Sequence, residues 1–177
     1  MGRCSFLVGI SAAQAAGLIP ELTDDPGYRD AITREQFAEL VVNFVEKCGV
    51  TIAPGSETFT DCDNPDVLLA ASAGIVYGVG NGKFAPNTTI NREQIAVMLY
   101  RTIQYIEKQS GKNPLTKAGS LDGYTDQNML SSWAVEGVGV LAANGIMKGT
   151  SDTMLSPKNP CTVEQCIMLV HRLLGVY

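Results

Sequence analysis

The chain has little of what most catalytic and metal sites are built from. One histidine (His171) and one tryptophan (Trp133) occur in 177 residues. No G-x-S-x-G, H-E-x-x-H or phosphate-loop lysine is present, so the usual frames for nucleophilic, zinc-protease and P-loop chemistry are missing. His171 lies near the end of an amphipathic segment, where packing or helix-end charge accounts for it. The five cysteines (Cys4, Cys48, Cys62, Cys161, Cys166) are odd in number and include no C-x-x-C, which supports neither a disulfide framework nor a standard zinc site. They read as small buried thiols. No apolar run approaches the roughly eighteen residues of a membrane span. Thirteen Lys and Arg against eighteen Asp and Glu give a net charge of -5. That balance excludes a broad basic face for duplex nucleic acid, yet leaves room for a few localised cations. Hydrophobic residues at 45% and charged residues at 18% exclude disorder. A chain this long buries enough surface to fold without a disulfide or metal. The expectation is a non-enzymatic chain with no cofactor, no metal, no nucleic-acid partner and no membrane insertion.

What is present is repetition. Ile32-Thr33-Arg34-Glu35-Gln36, Ile90-Asn91-Arg92-Glu93-Gln94 and Cys161-Thr162-Val163-Glu164-Gln165 start 58 and then 71 residues apart. A Gly–aliphatic pair precedes each: Gly17-Leu18, Gly74-Ile75 and Gly145-Ile146. From that Gly to the start of the motif is 15, 16 and 16 positions. Two landmarks at near-constant spacing in three places identify one repeated unit.

Each motif reads as a helix start. Thr33, Asn91 and Thr162 are good N-caps, and Gln36, Gln94 and Gln165 follow three residues later, as a capping box requires. Glu35, Glu93 and Glu164 fall in the first turn, where a carboxylate complements the helix dipole. Apolar residues then recur at helical spacing, predicting helices over about 34–47, 92–107 and 163–174. A shorter helix is expected before each glycine, over Pro65 to Ala73 and Ser132 to Asn144. The N-terminal stretch, with Arg3, Phe6 to Ile10 and Ala13-Gln14-Ala15, superficially looks like a short secretory signal. Sliding the third unit back 128 positions sets Ser5 on Trp133 and Gly17 on Gly145, so a structural helix is preferred. Any true signal is expected to lie outside this sequence. Between paired helices the second unit has a glycine-rich loop, Tyr77 to Asn87, with Phe84 and Pro86 anchoring its return. The third keeps a weaker version over Lys148 to Pro157, and the first retains only Tyr28 as an anchor.

The pattern resembles the S-layer homology domain, a cell-wall-anchoring repeat that usually occurs in threes. The resemblance rests on Phe59-Thr60-Asp61, Gly74-Ile75-Val76-Tyr77-Gly78, Gly80 to Pro86, Tyr124-Thr125-Asp126 and Trp133-Ala134. The motifs at 32–36 and 90–94 resemble the family signature Ile-Thr-Arg-Ala-Glu with Glu one place earlier. It implies an all-α fold of three helix–loop–helix repeats in a pseudo-threefold, three-pronged bundle. The units would be residues 1–58 (N-terminally short), 59–107 and 122–177, with a polar linker at 108–121. It further implies an extracellular location at the cell surface. The partner would be an acidic, pyruvylated secondary cell-wall polysaccharide, bound in grooves between repeats with the signature arginine on its carboxylate.

The residues themselves are compatible. An arginine next to an N-cap sets a planar fork beside the positive end of a helix and its unpaired N–H groups, which suits a carboxylate. The candidate glycan-binding residues are Arg34, Arg92, Trp133, Asp61, Asp126, Gly78, Gly82, Glu35 and Glu93. Each has a plainer reading beside it: solvated arginines, a core tryptophan, turn-capping aspartates, glycines needed for backbone geometry, and glutamates that serve the helix start. Four departures from the family stand out. Val163 replaces the third arginine, with Lys148 or Lys158 as conceivable substitutes; Ser5 in the first unit and Cys62 in the second replace the opening Trp; the first unit has no glycine-rich loop. Replacing both arginines is expected to abolish wall sedimentation with thermal unfolding near wild type. The alternative reading is a structural or protein–protein module with decayed glycan sites.

Overall fold

All three Gln-x-x-cap pairs close on themselves in the computed structural model, which describes residues 12–19 and 27–177. Gln36 N donates to Thr33 Oγ1 at 3.2 Å while Gln36 Oε1 accepts from Thr33 N at 3.0 Å. Asn91 with Gln94 and Thr162 with Gln165 repeat the pair. The helices are α1 (Arg34–Lys47), α2 (Pro65–Ser72), α3 (Arg92–Ser110), α4 (Val135–Ala143) and α5 (Val163–Leu174). The described residues form no named strand, only isolated bridges, and the fold is all-α as expected. The apolar stripes face inward: Phe37, Leu40, Val41, Phe44 and Val45 on α1, Ile95, Leu99 and Ile103 on α3, and Leu169, Val170 and Leu173 on α5 are buried.

The short helices end as the glycine landmarks require. Gly17, Gly74 and Gly145 have φ of 64°, 70° and 73°, a left-handed turn that L side chains resist. In each case the next residue sends its N–H five positions back: Leu18 to Ala13, Ile75 to Ala70 and Ile146 to Leu141. The first unit thus shares the turn of the others, although its Ser5 and most of the signal-like stretch lie outside the described residues. Two boundaries differ from expectation. The helix expected over Ser132 to Asn144 starts as a 3-10 turn, Ser132–Ala134, before α4. Ser131 would cap it, but its hydroxyl is bonded to Glu93 instead. The linker expected at 108–121 begins inside α3, which runs to Ser110 and stops at Gly111 (φ 72°). Its far end lies along α4, with Lys117 N on Asn144 Oδ1 and Ser120 N on the Gly139 carbonyl.

The units join in a cycle of hydrogen bonds. Arg34 N and Glu35 N, at the start of α1, donate to Thr88 O (2.9 Å) and Pro86 O (3.2 Å) in the second unit. Arg92 N and Glu93 N donate to Asn159 O (3.0 Å) and Pro157 O (3.1 Å) in the third. Val163 N and Glu164 N return to Asp30 O (3.0 Å) and Tyr28 O (2.9 Å) in the first. Bridges Thr33–Thr89, Asn91–Pro160 and Ala31–Thr162 lie at the same three junctions.

Candidate functional site

At the first junction the Arg34 side chain is 7% exposed and runs under the loop of the second unit. Its Nε donates to Phe84 O at 2.8 Å and its Nη2 to Tyr77 O at 2.6 Å. The guanidinium carbon sits 4.6 Å from the centre of the Phe84 ring. Burial pushes its pKa down, though an arginine remains charged. Arg92 does the same one unit on: 7% exposed, Nε on Leu155 O at 2.8 Å and Nη2 on Lys148 O at 2.5 Å. The pattern of unpaired helix N–H groups expected beside each arginine is therefore corrected. Those groups are taken by loop carbonyls and by the cap oxygens of Thr33 and Asn91. The expectation that both arginines could be removed at little cost to stability goes with it, because each closes a junction through two charge-assisted bonds. At the third junction Val163 occupies the place of the arginine and is buried at 2%.

The acidic candidates brace the same junctions. Asp61 accepts from Phe84 N (2.8 Å) and Ala85 N (3.0 Å). Asp126 accepts from Leu155 N (2.9 Å) and Ser156 N (2.8 Å). Each carboxylate fastens the return of its own loop at a residue with positive φ, Ala85 at 60° and Ser156 at 52°. The Phe84 and Ala85 amides hold the Asp61 carboxyl below its ordinary value. Glu35 accepts from Asn64 Nδ2 at 3.1 Å, and Asn64 is the N-cap of α2. Glu93 is 2% exposed and accepts from Ser131 N and Oγ, both at 3.0 Å, and from Lys158 Nζ. Burial pushes the Glu93 carboxyl up, but Lys158 and Ser131 outweigh it and hold the group below its ordinary value. Lys158 is thus paired at the second junction rather than standing in for the third arginine. Ser131 did not stand out in the sequence, and Lys158 stood out only as a substitute for the third arginine, because their partner Glu93 lies 38 and 65 positions away.

The glycine candidates divide by cause. A Cβ on Gly78 would lie 2.7 Å from Lys83 O and 3.0 Å from Phe59, so close approach demands glycine there. Gly82 instead has φ of 68°. Trp133 is 55% exposed, which places it on the surface and not in the core. It lies two residues from Ser131, the residue Glu93 holds. Tyr77 is 57% exposed and was not singled out in the sequence as a contact. Its carbonyl is held by Arg34 while its ring turns toward α3, with the Arg101 guanidinium 4.5 Å from the ring centre. Tyr77, Arg101, Tyr105 and Lys108 line a cleft of about 550 Å³ between the end of α2 and α3. Among the described residues no cluster of His, Cys, Asp and Glu is arranged to hold a metal.

Comparison with known proteins gives two matches to the S-layer homology domain, over residues 61–96 and 123–165. These fall in the second and third units. An endoglucanase of Bacillus sp. (strain KSM-635) is 32% identical over 148 residues, 82% of this chain and 15% of that protein. A surface layer protein of Brevibacillus choshinensis is 27% identical over 147 residues, 76% of this chain and 12% of that protein. A middle cell wall protein of Brevibacillus brevis is 28% identical over 132 residues, 73% of this chain and 11% of that protein. The chain thus spans less than a fifth of the length of these curated relatives.

Proposed function

Since the chain belongs to the S-layer homology domain family, we propose that it is a non-covalent anchor that binds an acidic, pyruvylated secondary cell-wall polysaccharide at the junctions between its units. The units are 1–58, 59–107 and 122–177, and the cyclic order of their junction bonds supports the threefold arrangement the family implies. Its place of action is the cell surface, in keeping with the surface-layer and cell-wall names of its relatives. The matched stretch is shared by a protein named an endoglucanase and by one named a surface layer protein, which favours binding over catalysis as its common role.

One observation carries the reading. At the first junction the segment that Arg34 clamps carries the exposed ring of Tyr77, and near the second the exposed ring of Trp133 lies two residues from Ser131, which Glu93 holds. An aromatic face takes the apolar side of a sugar ring, and the nearby guanidinium supplies the charge for its carboxylate. In this reading Arg34 and Arg92 keep their remaining N–H donors for the ligand, while Asp61, Asp126, Glu35, Glu93, Gly78 and Gly82 shape the loops that carry the rings. Contacts of this kind are weak singly, and two sites on one polymer raise retention by avidity.

Sedimentation with purified cell wall tests this. Trp133 is exposed, so Trp133→Ala is expected to lower wall affinity about tenfold, near 1.4 kcal/mol, with thermal unfolding unchanged. Mild acid treatment of the wall, which hydrolyses pyruvyl ketals, is expected to have the same effect on the wild type. Undiminished sedimentation in both arms would leave a protein–protein module, a reading to which Val163, in the place of the third arginine, lends some support.

A further inference from the structure

Helix starts of this type are closed on their apolar side by a contact between the residue before the N-cap and the fourth residue of the helix. In the first two units those positions hold Ile32 with Phe37 and Ile90 with Ile95, all buried. In the third unit both are cysteine, Cys161 and Cys166, each 0% exposed. The same two contacting apolar positions have changed together, to the one residue type whose pair can become a covalent bond. Both are free thiols in the structure, and Cys161 Sγ lies 3.3 Å from Gln165 Oε1. This is also the unit whose junction has Val163 where the others have a clamping arginine.

We propose that Cys161 and Cys166 form a disulfide, a covalent staple that closes the start of α5 where the arginine clamp is missing. The oxidant is a disulfide donor of the thiol–disulfide exchange class, such as oxidised glutathione in vitro. The Cys161 thiolate attacks the donor's S–S bond and releases one donor thiol. Cys166, after loss of its proton, attacks the Cys161 sulfur and releases the second. Two protons and two electrons leave the protein, and one donor disulfide becomes two thiols. Both sulfurs are enclosed in the folded chain, so exchange occurs during folding, before the core closes. The proposal relies on the cell-surface reading only for an oxidising environment.

The test is refolding of the purified full chain in a reduced and oxidised glutathione buffer, followed by alkylation and peptide mapping under non-reducing conditions. The expected result is a Cys161–Cys166 cross-linked peptide, lighter by two hydrogens, and a melting temperature several degrees above that of the dithiothreitol-treated protein. In the double variant Cys161→Ile, Cys166→Ile, which copies the second unit, that reductant-sensitive shift is expected to vanish. Should the double variant fail to fold, Cys166→Ala alone is expected to leave Cys161 alkylated. Alkylated Cys161 and Cys166 in the wild type, linkage of either to Cys4, Cys48, Cys62 or glutathione, or a cross-link without a melting shift would each overturn the staple. Wall sedimentation is measured separately, so an intact cross-link in a chain that fails to bind wall counts against anchoring and not against the staple.

Discussion

Arg34 is asked to do two things, and its burial fixes their order. Two of its five N–H donors are tied to Phe84 O, in a buried bond, and to Tyr77 O, in a partly buried one. Truncation leaves both acceptors without a partner and removes the ring contact with Phe84, so Arg34→Ala is expected to cost about 2–4 kcal/mol in urea unfolding. A cost below about 0.5 kcal/mol would mean water replaces the guanidinium freely. Any loss of wall binding in that variant has to be read against its stability, which is why the exposed Trp133 is the cleaner probe. Glu93 gives a pH signature. Its carboxyl is held below its ordinary value of 4.5, so the folded state favours the ionised form. The resulting stabilisation is complete above about pH 4.5 and is lost as pH falls through the lower folded value. Glu93→Gln is expected to be less stable at neutral pH and flatter in acid, by about 1–3 kcal/mol at pH 7. An acid unfolding profile identical to wild type would place the acid-sensitive group elsewhere. At this scale the caps were legible, because Thr33 and Gln36 meet within one turn. The side-chain destinations were not: Arg34 binds backbone carbonyls 43 and 50 positions away, and a carbonyl has no sequence signature.

Loops and short helices are held by single polar residues acting across the unit. Asp126 is 5% exposed and takes both N–H groups that turn the chain at Leu155 and Ser156. Asp126→Ala leaves those donors buried without an acceptor and frees a residue with φ of 52° from its tether. The expected cost is about 1–3 kcal/mol. Hydrogen exchange at the Leu155 and Ser156 amides is expected to quicken far more than in the middle of α5, through local opening. Equal acceleration throughout would mean that the loop and helix open as one body. The long helices were readable from apolar period and cap, and α1 and α5 begin and end where the periodicity puts them. The start of α4 was not, because the hydroxyl that local sequence assigns to its cap is taken by Glu93 from another unit. The aspartates of the Phe59-Thr60-Asp61 and Tyr124-Thr125-Asp126 motifs were visible as repeated residues, but their work as loop fasteners depends on backbone 23 and 29 positions further on.

For the molecule as a whole, the cyclic junctions decide how it unfolds. Each long helix has its first two N–H groups satisfied by another unit: α1 by the second, α3 by the third and α5 by the first. Opening any one unit therefore exposes donors on a neighbour as well as its own apolar face, and a buried donor without a partner costs about 1–3 kcal/mol. Three linked penalties of that size make partly unfolded chains scarce. Thermal unfolding is expected to be a single transition in which the calorimetric and van't Hoff enthalpies agree, despite the repeat architecture. Tandem repeats that touch only their sequence neighbours behave differently, since their ends melt first. Here the bonds from Val163 and Glu164 back to Asp30 and Tyr28 remove the free end. Asp30→Pro would not break that link, because the acceptor is the backbone carbonyl and survives the change. The informative variant is Val163→Pro, which deletes a donor at the first position of α5, where proline is otherwise tolerated. It is expected to lower the melting temperature and broaden the transition as the first and third units uncouple. A transition equally sharp and equally high would mean that the third junction contributes nothing to closure, and that the units are held together by their apolar faces alone.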